Sequence, residues 1–95
     1  MEIFDLKEME EKQAFYKEKE FNARHILLSE GEKIPPCEMS SYVMFIVIDG
    51  DVEVMVDDES VTLSDGMCLI TEPATLSMKT EEGVKILGIQ ISKGE

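Results

Sequence analysis

The sequence has few of the residues that bind metals, close disulfides or carry positive charge. One histidine, two cysteines and no tryptophan occur in 95 residues. Nine basic residues against 21 acidic ones give a formal net charge of −12, which opposes binding to phosphate backbones and anionic lipid surfaces. Two cysteines do not make a disulfide framework. The acidic excess therefore predicts a solvated surface and no direct contact with nucleic acid or membrane.

Long hydrophobic runs are also missing. The longest uncharged apolar run, residues 43–48, is far shorter than the roughly 20 residues that a membrane-spanning helix needs. The N-terminus begins Met1-Glu2 and lacks the basic and apolar regions of a signal peptide. Without a signal peptide or a disulfide framework, we expect a cytoplasmic protein. Cytosolic thiols stay reduced, so its two cysteines are expected to be unpaired.

The pattern that is present predicts one domain of short strands. Residues 6–13 are good helix formers that follow Asp5, a plausible N-cap, and we expect one short surface helix there. Residues 14–29 have the pattern of one or two strands, and the prolines at 35 and 36 are expected to stop any ladder.

The strongest strand signal follows these prolines. Residues 44–48 are apolar on both faces, and Asp49-Gly50 then marks a turn or bulge at a position that favours positive φ. Valines then alternate at residues 52, 54 and 56, which indicates a half-buried strand. Short strands separated by turn signals follow every eight to twelve residues, and the last is expected at residues 84–91. This spacing is typical of an antiparallel sandwich or closed barrel.

Residues 31–50 resemble the first motif of the cupin superfamily. That motif has a glycine, five residues, His-x-His, three or four residues, a glutamate, six residues and a second glycine. The glycines fall on Gly31 and Gly50, whereas the three ligand positions fall on Cys37, Met39 and Val43.

The second cupin motif is matched more weakly. It has a glycine, five residues, Pro-x-Gly, two residues, a histidine, three residues and an asparagine. Starting from Gly66, the marked positions hold Glu72, Ala74, Ser77 and Glu81, so only the first glycine is identical. The fifteen residues between Gly50 and Gly66 match the short spacing of small single-domain cupins.

The resemblance implies an all-β fold: a small antiparallel jelly-roll (cupin) β-barrel of six to eight strands with one short N-terminal helix. We predict a single cupin domain over residues 1–95, with the helix and an arm in residues 1–20 and the barrel in residues 21–91. Catalytic cupins bind Fe, Mn, Zn or Ni through imidazoles and a carboxylate that face the barrel interior. Because valine and a neutral serine cannot replace these groups, we predict no metal, no cofactor and no catalytic residue.

The same positions predict a binding pocket. Its expected lining offers one thiol and one hydroxyl in an apolar wall, from Cys37, Met39, Val43, Phe45 and Ser77. We therefore predict a metal-free, non-catalytic cupin that holds a small, largely apolar or uncharged molecule. One alternative is a metal-independent isomerase, which a charged residue inside the barrel would favour. The other is a stand-alone sensor or dimerisation module, which a filled barrel would favour.

Three further expectations concern single residues and assembly. Cys37 and Met39 are soft ligands that could favour Cu(I), with Cys68 as the only third candidate, although core filling explains both more simply. His25 lies outside both motifs and is expected to be structural or exposed. The apolar faces of residues 43–48 cannot both fill one barrel, so we predict a homodimer that covers the outer face.

Overall fold

Two antiparallel sheets face each other across a shared core. A computed structural model describes residues 1–91, within which there are nine strands: β1 (Gln13–Lys17), β2 (Phe21–Leu28), β3 (Lys33–Glu38), β4 (Tyr42–Gly50), β5 (Val52–Val56), β6 (Glu59–Leu63), β7 (Cys68–Thr71), β8 (Thr75–Lys79) and β9 (Val84–Ile91). The five-stranded sheet has the order β1-β2-β9-β4-β7 and the four-stranded sheet the order β3-β8-β5-β6. This arrangement confirms the predicted all-β antiparallel jelly roll. The strand count exceeds the predicted range by one, because β1 lies in the segment assigned to the arm.

The predicted helix over residues 6–13 is wrong. A turn closed by the carbonyl of Asp5 is the only helix-like feature there, and residues 1–91 contain no helix. Isolated helices of this length are marginal in water, so contacts with the sheet decide the conformation. The Lys7 carbonyl accepts a hydrogen bond from Lys85 of β9, and the Glu11 carbonyl accepts one from His25 of β2. Strand β1 then begins at Gln13. The segment therefore crosses the sheet as an extended arm.

The two prolines in β3 do not end the ladder, contrary to the sequence-based expectation. Ile34 pairs with Met78 before them and Cys37 pairs with Leu76 after them, with a shift in register between the two pairs. β3 is an edge strand of its sheet and has only one neighbouring strand. The N–H groups that proline lacks are therefore not needed to pair with a second strand.

The core is built from alternating residues of facing strands. In β4, Val43, Phe45 and Val47 are buried in the core, whereas residues 44, 46 and 48 are only half-buried on the opposite face. Val54 of β5 and Ile86 of β9 are fully buried and complete the packing from the two sheets. Burying each such side chain stabilises the fold by about 1.5–3 kcal/mol. The expectation that only one face of the apolar run fills the barrel is therefore confirmed, and that face carries Val43, Phe45 and Val47.

Gly50 ends β4 in a backbone conformation that side chains rarely adopt. Its φ is 104°, which confirms the expected positive value, and a Cβ atom there would lie 2.4 Å from the carbonyl oxygen of Gly83. The Gly50 amide also donates a 2.7 Å hydrogen bond to Oδ1 of Asp65. This glycine thus allows the turn after β4 to pack against the turn before β9.

Candidate functional site

A cavity of about 200 Å³ lies between the two sheets. It is bordered by residues of β2, β3, β4, β8 and β9 and of the loop after β3, namely Arg24, Ile26, Ile34, Cys37, Met39, Val43, Phe45, Leu76, Ser77, Met78, Gly88, Ile89 and Gln90. Most of these residues are apolar, and none is a carboxylate. The space is thus part of the barrel interior that the core side chains leave unfilled.

Two other depressions lie on the surface of the four-stranded sheet. One, of about 240 Å³, is bordered by exposed residues such as Met55 and Lys79, and the other, of about 720 Å³, by several acidic residues including Glu81 and Glu82. Both are open to solvent at charged side chains that they share, Lys33, Glu53 and Lys79. The cavity between the sheets is therefore the candidate site, because burial of apolar surface favours a ligand there.

All five residues predicted from the motif positions border this cavity. Val43 and Phe45 of β4 are buried in its wall, and Met39 packs against the core from the loop after β3. Cys37 lies on the edge strand β3, where it is exposed and pairs with the buried Leu76. Residues that pair directly across antiparallel strands share a face, so the Cys37 side chain points toward the cavity from its rim.

Ser77 has a different orientation from that expected. It pairs with Met55, whose side chain is exposed on the outer face of the four-stranded sheet. Its neighbours Leu76 and Met78 are the buried, inward residues of β8. Because side chains alternate along a strand, the Ser77 hydroxyl faces outward and only its backbone contributes to the wall.

Eight residues that border the cavity were not identified from the motif positions, and three of them, Arg24, Gly88 and Gln90, lie close together on β2 and β9. Arg24 pairs with Gly88, and Gly88 pairs with Phe45. Arg24, Gly88 and Phe45 therefore lie in one row across β2, β9 and β4 on the inner face. Gln90 occupies the next inward position of β9 and pairs with Val43. The period-two pattern of β2 places Arg24 in phase with the buried Ile26, a signal that was available in the sequence.

Gly88 makes room at the centre of this row. A Cβ atom there would lie 3.0 Å from Cδ1 of Ile26 and 3.5 Å from Cδ1 of Phe45. Gly88 is not among the glycines with positive φ, so its backbone does not require glycine. Its missing side chain instead lets the side chains of Ile26 and Phe45 pack directly over the β9 backbone.

Among residues 1–91 neither a histidine nor a carboxylate borders the cavity. His25 neighbours Arg24 in sequence but faces the other side of the sheet, where it is completely buried under the N-terminal arm. Within residues 1–91 no three histidine, cysteine or acidic side chains are grouped as a metal site. Cys68 pairs with Ile46 on the outer face of the five-stranded sheet and is remote from Cys37.

The outer face of the five-stranded sheet is apolar beyond the part that the arm crosses. Paired residues of β4, β7 and β9 form this outer patch, which consists of Met44, Ile46, Ile70, Leu87 and Ile89. Ile70 lies on the edge strand β7 and is 65% exposed. The arm bonds to His25 of β2 and Lys85 of β9, and of the patch residues Ile70 on β7 is exposed while the others are half-buried.

Solved structures identify the architecture. A protein from Thermus thermophilus has a TM-score of 0.88 and 20% identity over 97% of this chain and 98% of that chain. An RmlC-like cupin protein from a Desulfovibrio desulfuricans subspecies has a TM-score of 0.85 and 15% identity over 96% of each chain. A cupin superfamily protein from Desulfitobacterium hafniense has a TM-score of 0.81 and 14% identity over 90% of this chain and 84% of that chain.

The protein has the cupin fold. No family model and no curated protein matches the sequence. The cupin barrel here carries Cys37, Met39 and Val43 where the first cupin motif has two histidines and a glutamate. Within the described residues no helix is long and apolar enough to cross a membrane.

Proposed function

We propose that this cupin barrel binds a small, largely apolar or uncharged molecule without a metal and without catalysing a reaction. The observation that carries the proposal is the cavity of about 200 Å³ between the sheets, lined mainly by apolar side chains and by no carboxylate. An apolar cavity of about 150 Å³ in another protein holds one benzene molecule. The space is therefore suited to a ligand of one small ring or a short branched chain.

Binding can be tested with protein that carries ¹³C-labelled methionine methyl groups. Met39 and Met78 border the cavity, whereas Met55 and Met67 are exposed elsewhere and serve as internal controls. Titration with benzyl alcohol, an uncharged one-ring molecule, should shift the Met39 and Met78 signals and leave the other two unchanged.

Matched cysteine variants make this test specific. Cys37→Phe places a ring at the rim of the cavity and should weaken binding, whereas Cys68→Phe makes the same change at an exposed cysteine on the opposite face. Shifts that are equal in the two variants, or that are absent at Met39 and Met78 in the wild type, would contradict the proposal.

The two alternative functions are less well supported. An isomerase needs a residue that exchanges protons, and the charged residue that borders the cavity is an arginine, which stays protonated at any physiological pH. A pure dimerisation module would have a filled barrel, which the open cavity argues against. Binding without chemistry remains the function that fits the lining residues best.

We also propose a homodimer in which a second copy covers the outer patch. Three of its members, Met44, Ile46 and Ile70, lie on β4 and β7, outside the region that the arm covers. A two-fold contact is the commonest way to bury such a sheet face, and we expect the dimer to bury more than about 1,000 Å² of surface in total.

We also propose a cytoplasmic location, because both cysteines are free and exposed.

A further inference from the structure

The only arginine of the chain borders the cavity. Arg24 is the single cationic side chain among the lining residues, in a protein with 21 acidic and nine basic residues. Within residues 1–91 it forms no ion pair, and no hydrogen bond of its side chain is present. Elsewhere, Lys12 and Lys79 pair with glutamates. Arg24 therefore retains its full hydrogen-bonding capacity at the edge of an apolar space.

The position of Arg24 allows its guanidinium to reach a ligand inside the cavity. Arg24 pairs with Gly88 in the cavity wall, in the same row as Phe45. Gln90 is the diagonal neighbour on β9, and diagonal neighbours in an antiparallel pair lie roughly 7–8 Å apart, within reach of long side chains. A permanent cation and an amide donor thus border the cavity from diagonal positions on adjacent strands.

We propose that the ligand is a small organic monocarboxylate. Its carboxylate would accept hydrogen bonds from the Arg24 guanidinium and the Gln90 amide, and its apolar body would pack against Phe45, Met39 and Met78. Arginine binds carboxylates through two parallel hydrogen bonds, a geometry that an uncharged ligand does not use. Within residues 1–91 no acidic side chain borders the cavity, so no close carboxylate repels the ligand there. This inference rests on the proposed binding function and adds the polar group of the ligand.

The test compares three probes of one shape and different charge: benzoate, benzyl alcohol and benzylamine. Binding is followed at the methyl signals of Met39 and Met78 at about 0.15 M salt, where screening limits the effect of distant charges to roughly 8 Å. Benzoate should bind most tightly. Arg24→Gln should weaken benzoate binding by about tenfold or more and leave benzyl alcohol binding unchanged.

Two further variants isolate the role of the guanidinium. Lys12→Gln removes the same charge from an exposed lysine that does not border the cavity, and benzoate should bind to it as to the wild type. Arg24→Lys keeps the charge but loses the two-pronged geometry, so it should restore only part of the benzoate affinity. Because Arg24 is exposed, these variants are expected to fold.

Each outcome decides a different point. Equal or tighter binding of benzyl alcohol by the wild type overturns the carboxylate inference and leaves the proposed binding function intact. Loss of benzoate affinity that is the same in Lys12→Gln as in Arg24→Gln overturns the assignment to Arg24. If none of the three probes shifts the Met39 and Met78 signals, both proposals are wrong.

Discussion

Nδ1 of His25 donates a hydrogen bond to the backbone carbonyl oxygen of Glu11, with 2.7 Å between the two atoms. A carbonyl oxygen only accepts, so Nδ1 carries a proton. The ring is completely buried, and its Nε2 atom has no hydrogen-bond partner in the described part of the chain. The single histidine of this cupin barrel therefore fastens the N-terminal arm to the outside of the sheet and is not available to the cavity.

His25→Phe should release the arm. The phenyl ring fills the same space but cannot hold the Glu11 carbonyl, so the peptide bonds after Lys7 and Lys12 should become more accessible to trypsin. Gln13→Ala is the matched control, because the Gln13 side chain bonds only the exposed carboxylate of Glu11. In the wild type, ¹⁵N NMR should show the tautomer protonated at Nδ1. Equal cleavage rates in His25→Phe and the wild type would mean that other contacts hold the arm.

Gly50→Val should destabilise the fold by on the order of 1–3 kcal/mol. The valine would be strained at φ 104° and would collide with the Gly83 carbonyl oxygen. Gly66→Val is the control for strain alone, because Gly66 also has positive φ but has no atom within 4 Å of its added Cβ. Denaturant unfolding should rank Gly50→Val below Gly66→Val in stability. The reverse order would show that the turn containing Gly83 moves away from the added side chain without loss of folding stability.

Ser60→Ala should raise the pKa of Glu53 toward its ordinary value. The pKa of Glu53 is lowered, first because Ser60 Oγ donates a 2.6 Å hydrogen bond to the carboxylate and second because Lys79 Nζ lies 3.5 Å from it. A lowered pKa in the folded state adds stability above the unfolded-state pKa, and this is lost as the pH falls through the folded-state value. Carboxyl ¹³C titration measures the shift. Thr62→Val, which removes the hydroxyl directly opposite Glu53, should leave the pKa unchanged.

The purified protein should contain no stoichiometric transition metal. Valine and cysteine stand at positions where cupin chemistry needs imidazole and carboxylate, and residues 1–91 hold no group of three suitable ligands. Elemental analysis of protein purified without chelator is the measurement. One equivalent of iron, manganese, zinc, nickel or copper per chain would contradict this prediction.

Ile70→Glu should convert the proposed dimer into a monomer. The substitution places a charge in the outer patch, where burial without a partner is costly. Met55→Glu is the control, because Met55 is 43% exposed on the other sheet. Sedimentation equilibrium of the wild type and of Met55→Glu should give twice the chain mass of 10.7 kDa. If the wild type sediments as a single species with the mass of one chain, the arm alone covers enough of the outer patch and the dimer proposal is wrong.

Local steric and periodic rules are what made much of the fold predictable. The alternation of the apolar run placed Val43, Phe45 and Val47 on one face, since strand side chains alternate whatever the strand pairs with, and the motif positions of Val43 and Phe45 indicated that this face is the inner one. The positive φ of Gly50 followed from the turn signal after β4, since this conformation is unfavourable for residues with a side chain. The glycine spacing indicated the cupin barrel although every metal-ligand position had changed.

Contacts between remote segments decided the remaining features. Residues 6–13 have helical propensity, but backbone carbonyls bound by Lys85 and His25 hold them in an extended arm. The row formed by Arg24, Gly88 and Phe45 exists only because β2 and β4 both pair with β9. Pairing also turned the Ser77 hydroxyl outward, toward the face of Met55. Such contacts depend on register between strands far apart in the chain, and no local pattern encodes that register.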